Sequence, residues 1–104
     1  MEVVISKSTN KNKKFDAFVD GKKISFGQDG ASDFTIHKDP ERKERYISRH
    51  VKREDWEKSG VKTAGYWSKH LLWNKDTLRK SIDDISRKHT LNILNYVYTN
   101  IFVV

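Results

Sequence analysis

The dipeptide Asp20-Gly21, between residues 15–19 (FDAFV) and 22–26 (KKISF), constrains the fold more than any other feature of this chain. A two-residue loop of this kind needs positive φ at both positions, which Asp and Gly tolerate. It also sets the register of the two strands it joins. Val19 then faces Lys22, Ala17 faces Ile24, and Phe15 faces Phe26. Side chains alternate along a strand, so Phe15, Ala17, Ile24 and Phe26 share one face, and the helices should cover it. Upstream, Val3, Val4 and Ile5 begin another strand, and residues 10–13 (NKNK) make a polar turn. Residues 2–27 thus read as a small antiparallel β-meander.

Residues 27–38 (GQDGASDFTIHK) read as a loop punctuated by Gly27 and Gly30. Gly-x-x-Gly is too weak a pattern to claim a phosphate cradle. Ser32 or Asp33 can cap a short turn that carries Phe34 and Ile36 inward. Asp39-Pro40 is a strong helix start, with Asp as N-cap and Pro at the first helical position. Glu41 suits the first turn and can pair with Arg45. This helix is expected to run to about Asp55, with Trp56 folding back and Ser59-Gly60 breaking the chain. Residues 63–73 (TAGYWSKHLLW) have apolar side chains all round, as a short helix between two layers does. Asn74 is the expected cap of a last helix, whose inward stripe is Leu78, Ile82, Ile85 and His89.

The end of the chain differs. Residues 92–104 (NILNYVYTNIFVV) carry no charged side chain and are rich in β-branched and aromatic types, so they read as strand. Two placements fit: an extra strand on the N-terminal meander, or an edge that pairs with a partner chain. Partner contact would then fall to Tyr96, Tyr98, Ile101, Phe102 and Val103. The expected architecture is α+β: a small antiparallel sheet with about three helices on one face. Residues 1–91 form the domain and 92–104 the strand-like tail.

The run FGQDGASDFTIHKDPERKERYISRH, followed by REDW and then TAGYWSKHLLWNKDTLRKSIDDI, resembles a family of small basic proteins encoded by large nucleocytoplasmic DNA viruses. The likeness covers residues 1 to about 88. It implies a viral source and a shared fold, and it supplies no catalytic residues, because no activity is assigned to that family. Asp76 stands where the family has a helix-starting proline (NKPTL), and residues 92–104 extend past the family's usual end.

Charge narrows the partners. The chain of 104 residues carries a net charge of +7, and only 36% of its residues are hydrophobic, so the core is modest. The excess sits in the N-terminal lysines and in residues 59–80, where Asp76 is the one acid. Residues 37–56 (HKDPERKERYISRHVKREDW) are denser in charge but nearly balanced. At about 100° per residue, Arg42, Arg45, Arg49, Lys52 and Arg53 line one side of the expected helix. Tyr46, Ile47, His50 and Val51 line an adjacent side, with Lys43 and Glu54 intruding. Such a helix docks by its aromatic flank and shows its guanidinium groups to an anion. Lys13, Lys14, Lys22 and Lys23 extend the footprint from the hairpin end, and Lys62, Lys69 and Lys75 from the other side. The alternative is a solvated face laced with intrahelical pairs.

Other classes find little support. Cysteine is absent, so neither disulfides nor thiolate metal sites are available. His37, His50, His70 and His89 do not fall at metal-ligand spacing, and no nucleophile–base or carboxylate constellation is evident. No catalytic residue, metal or cofactor is expected, and the chain does not read as an enzyme. Trp56, Trp67 and Trp73 could stack on bases, but so small a core needs them inside. The N-terminal MEVVIS lacks a basic n-region and an apolar h-region, so secretion is not expected, and no run is long enough for a membrane span. Two functions remain open. One is a viral binding module that grips nucleic-acid phosphates without reading bases. The other is a minor structural protein of the virion, or a capsid-associated one, docked between larger and acidic neighbours. Either places the chain in a virion or in infected-cell cytoplasm.

Overall fold

A computed structural model of the chain describes residues 1–98. Three strands open it: β1 (Glu2–Lys7), β2 (Lys13–Val19) and β3 (Lys22–Gln28). The Asp20-Gly21 turn has positive φ at both positions, 48° and 77°. Its register is the expected one, with Val19 opposite Lys22, Ala17 opposite Ile24 and Phe15 opposite Phe26. β3 continues two residues into the segment expected as loop, and Lys13 pairs with Gln28. Gly27 makes this possible: its φ is +76°, and a Cβ there would lie 2.7 Å from Leu72 Cδ1.

Helices follow: α1 (Phe34–His37), α2 (Pro40–His50), a 3-10 turn (Lys58–Gly60), α3 (Ala64–Trp67) and α4 (Leu78–Lys88). α3 passes directly into a π-helical segment, Ser68–Leu72, closed by Trp73 N donating to Ser68 O at 3.2 Å. Asp33 caps α1 by accepting from Thr35 N at 2.9 Å. That short helix does not carry Ile36 inward; Ile36 is 61% exposed and Phe34 half-buried. With only four residues, α1 has one inner face, and Phe34 occupies it.

The last strand, β4 (Asn92–Asn95), joins the sheet beside β1, giving the order β3-β2-β1-β4. It runs parallel to β1, whereas the first three strands are antiparallel. The direction follows from the path: the helical segments cross one face of the sheet and return the chain to its starting end. Within the described residues, the tail therefore supplies an edge strand of the domain's own sheet.

One face of the sheet carries the core. Val3, Ile5, Ala17, Val19, Ile24 and Phe26 pack beneath Tyr66, Trp67, Leu71, Leu72, Leu78, Ile82 and Ile85. Trp67 is fully buried and its indole N–H donates to Val61 O at 2.7 Å, while Trp56 and Trp73 are half-buried. The opposite face bears buried Asp16, which accepts from Ser8 and Ser25 hydroxyls at 2.6 Å each and from Thr9 N at 3.1 Å. Burial pushes the Asp16 carboxyl up, but those donors and the charge of Lys23 outweigh it and hold it below its ordinary value. This cluster pins the turn between β1 and β2.

Candidate nucleic-acid interface

α2 begins as the Asp39-Pro40 signal requires. Asp39 accepts from Glu41 N at 3.0 Å, and His37 Nδ1 accepts from Asp39 N at 2.9 Å. The inner flank is a run of stacked rings. Tyr46 lies between His50, at 4.2 Å, and Trp73, at 4.4 Å with the planes 2° apart. His37 packs on Trp73 at 5.2 Å. Burial, helped by the charge of Glu54, pushes the Tyr46 phenol up to about 12. The aromatic side of α2 is therefore a docking face, and Val51, 51% exposed, lies outside it.

The helix stops at His50, five residues before the expected end. His50 Nδ1 donates to Tyr46 O at 2.8 Å, and the amides of Arg53 and Glu54 both turn back to His50 O. Asp55 competes with helix continuation: its carboxylate accepts from Glu57 N at 3.0 Å and from the Ser59 hydroxyl at 2.7 Å. Glu54 bends toward α3, where a Cβ on Gly65 would strike its carboxylate. Lys52 and Arg53 thus sit on the turn after α2 and no longer on the helix itself.

Arg42, Arg45, Arg49, Lys52 and Arg53 are all exposed. Among the described residues, Arg45 alone of these five has a carboxylate partner, Glu41 at 4.0 Å. Arg53 reaches only the Arg49 carbonyl, at 3.5 Å. The arginines are not laced into the chain's own acids, although Glu41, Glu44 and Asp55 are close in sequence.

The lysines expected to extend this ridge divide. Lys13 is exposed and shares a cleft of about 360 Å³ with Tyr46, His50, Glu54 and Ser68, so it adjoins α2. Lys14 does not face solvent: it is paired with buried Asp33 at 2.6 Å. A lysine in mid-strand beside a buried carboxylate is held inward, a contact that sequence spacing does not reveal. Lys22 and Lys62 meet at the hairpin tip, where Lys62 also lies 3.6 Å from Asp20. Lys23 points to the sheet face away from the helices and donates to Thr9 Oγ1 at 3.1 Å. Lys69 is half-buried over the Trp56 ring, and Lys75 is exposed. The expected residues thus form no single footprint.

Asn74 does not cap α4. Its amide donates to Asp84 Oδ2 at 2.8 Å, and Thr77 is the cap, accepting from Lys80 N at 3.1 Å. Asp76 therefore lies before the cap, and it pairs with Lys80 at 3.1 Å. Tyr96 and Tyr98 are exposed on either side of buried Val97. Ile101, Phe102 and Val103 lie outside the described residues.

His70 is buried, and its Nε2 donates to Trp56 O at 2.8 Å. Tyr66 Oη and His89 Nδ1 share a hydrogen bond of 2.6 Å. Among the described residues, no three His, Asp or Glu side chains are placed to hold a metal ion. No described helix is long and apolar enough to cross a membrane.

Residues 3–50 match a family of unknown function, DUF5754. The match runs from β1 to the end of α2 and so includes Arg42, Arg45 and Arg49. No curated protein and no solved structure matches the chain.

Proposed function

We propose that this chain is a small, non-enzymatic viral binding module that contacts nucleic acid through its phosphates. The supporting observation is the ridge of Arg42, Arg45, Arg49, Lys52 and Arg53, exposed on and after α2, in which among the described residues only Arg45 has a carboxylate partner, Glu41 at 4.0 Å. Guanidinium groups present paired donors suited to phosphate oxygens. The docking face fixes the helix while the ridge stays in water. The sequence holds no base-reading motif of a known type, so contacts go to the backbone and sequence selectivity is weak. The resemblance of residues 1 to about 88 supports the viral source, and a virion or infected-cell cytoplasm is the location that goes with it.

A fluorescence-polarisation titration against duplex and single-stranded oligonucleotides at several ionic strengths tests this reading. Affinity should fall log-linearly with salt, and Arg49→Ala with Arg53→Ala should reduce the slope by about 0.9 per lost phosphate contact. Binding that ignores salt, or a double variant with an unchanged slope, would refute it.

A second reading is favoured by exposed Tyr96 and Tyr98 at the end of edge strand β4. Two large aromatic surfaces beside a strand edge that is unpaired among the described residues suit docking in an assembly of larger, acidic virion proteins. In that case the chain co-purifies with particles and Tyr98→Ala lowers its occupancy there.

A further inference from the structure

Four lysines that are far apart in sequence converge where α2, the π-helical segment and α4 meet. Lys43 Nζ donates to Asn74 O at 2.6 Å, and the Asn74 amide donates to Asp84 Oδ2. Lys88 Nζ lies 3.4 Å from the same oxygen. Lys75 follows Asn74 directly, and Lys69 projects from the π-helical segment over Trp56. Lys43 stands over the Phe34 ring at 5.1 Å. Lys43 and Lys69 are half-buried, and Lys75 and Lys88 are exposed.

Among the described residues, Asp84 is the one carboxylate whose charge acts on Lys43 and Lys69. Burial holds Lys43 and Lys69 below the usual lysine value, and the ammonium charges of Lys75 and Lys88 lower both further. The fold does not need four. Lys88 alone pairs with Asp84, and Lys43 alone satisfies the Asn74 carbonyl. Lys69 and Lys75 add like charge to a spot already positive, at a cost in repulsion. Four ammonium groups around one carboxylate leave about three charges uncompensated, by simple counting at neutral pH.

We propose that this lysine cluster is an oxyanion site, separate from the arginine ridge, for a compact phosphate group of more than one negative charge. A phosphodiester carries a single charge and would leave most of the cluster unmatched. A terminal phosphate monoester or a diphosphate matches it better, and lysines serve such groups as movable point charges. The chemistry is shared by the 5′-phosphate of a nucleic-acid strand and by a free diphosphate.

Isothermal titration of the full chain with inorganic pyrophosphate tests the site. One saturable equivalent is expected, weakened about tenfold by each of Lys75→Gln and Lys88→Gln, that is, about 1.4 kcal/mol apiece. Lys88→Arg should restore most of the affinity, and Arg45→Gln with Arg49→Gln should leave it within about twofold, with the tenfold scale as reference. Both lysines are exposed, so urea midpoints should match the parent chain and show that the losses are local. Competition by an oligonucleotide with a 5′-phosphate, and none by its dephosphorylated twin, would identify strand ends as the source; competition by neither would identify free diphosphate. The proposal is overturned if pyrophosphate does not saturate, or if its affinity survives both lysine variants. Neither result bears on the salt slope that tests the arginine ridge, so the two readings fail separately.

Discussion

His70 shows how burial turns a common residue into a pH-dependent element. Burial, aided by the charges of Lys69, His89 and Lys88, outweighs the Trp56 carbonyl and pushes the imidazole down to about 4 from 6.5. The unfolded chain takes up that proton near 6.5 and the folded chain only near 4. The contribution is therefore fully present above 6.5 and is lost as pH falls from 6.5 through 4, by roughly 3 kcal/mol in all. Urea unfolding at pH 7, 5.5 and 4.5 should show this decline, and His70→Gln, which keeps a donor for the Trp56 carbonyl, should flatten it. A parent chain equally stable across that window would contradict the assignment. The carboxylates of Asp16 and Asp84, held below their ordinary values, weaken the fold only at lower pH.

At the scale of elements, caps decide where helices begin, and side chains that bond to nearby backbone decide where they end. Asp39-Pro40 was legible because its parts are adjacent in sequence. The stop at His50 was not, because Glu54, whose amide turns back to His50 O, bends its carboxylate against Gly65 of α3, a contact that the helical period does not show. The start of α4 makes the same point. Asn74 has the right chemistry for a cap, but Asp84, half-buried ten residues on, claims its amide. Thr77→Ala should then cost about 1 kcal/mol and speed hydrogen exchange at Lys80 N. Asn74→Ala should leave that amide protected and instead cost about 1–3 kcal/mol by removing the hydrogen-bond donor of half-buried Asp84, which then keeps, among the described residues, only Lys88. Equal exchange effects from the two substitutions would mean that Asn74 is part of the cap.

For the whole molecule, the question is what the tail does. Val97 is 4% exposed and lies in the core, while its neighbours Tyr96 and Tyr98 face outward. Tyr96 N donates to Ile5 O at 2.8 Å, which extends the pairing with β1 past β4. Val97→Asp should therefore destabilise the fold by about 3 kcal/mol or more, since it buries an unpaired charge. Tyr98→Asp should shift the urea midpoint little. A similar loss from both would place Tyr98 inside. The charge distribution is also decided at this scale. Arg42, Arg45 and Arg49 stay on one surface because consecutive turns of α2 carry them. The hairpin lysines scatter, since strand alternation sends Lys22 and Lys23 to different faces.

By itself the sequence determined whatever depends on neighbours along the chain. The Asp20-Gly21 turn set the hairpin register, the Asp39-Pro40 cap set the start of α2, and period 3.6 set the inward stripe of α4. These rest on local backbone preference and on the side-chain period, both written in consecutive residues. Only the tertiary structure decided the rest. Lys14 turned to Asp33, β4 ran parallel to β1, the Asn74 amide turned to Asp84, and Lys43 reached the Asn74 carbonyl. Each is a contact between residues from different elements, set by how the helices cross the sheet, and no periodicity in the sequence records that path.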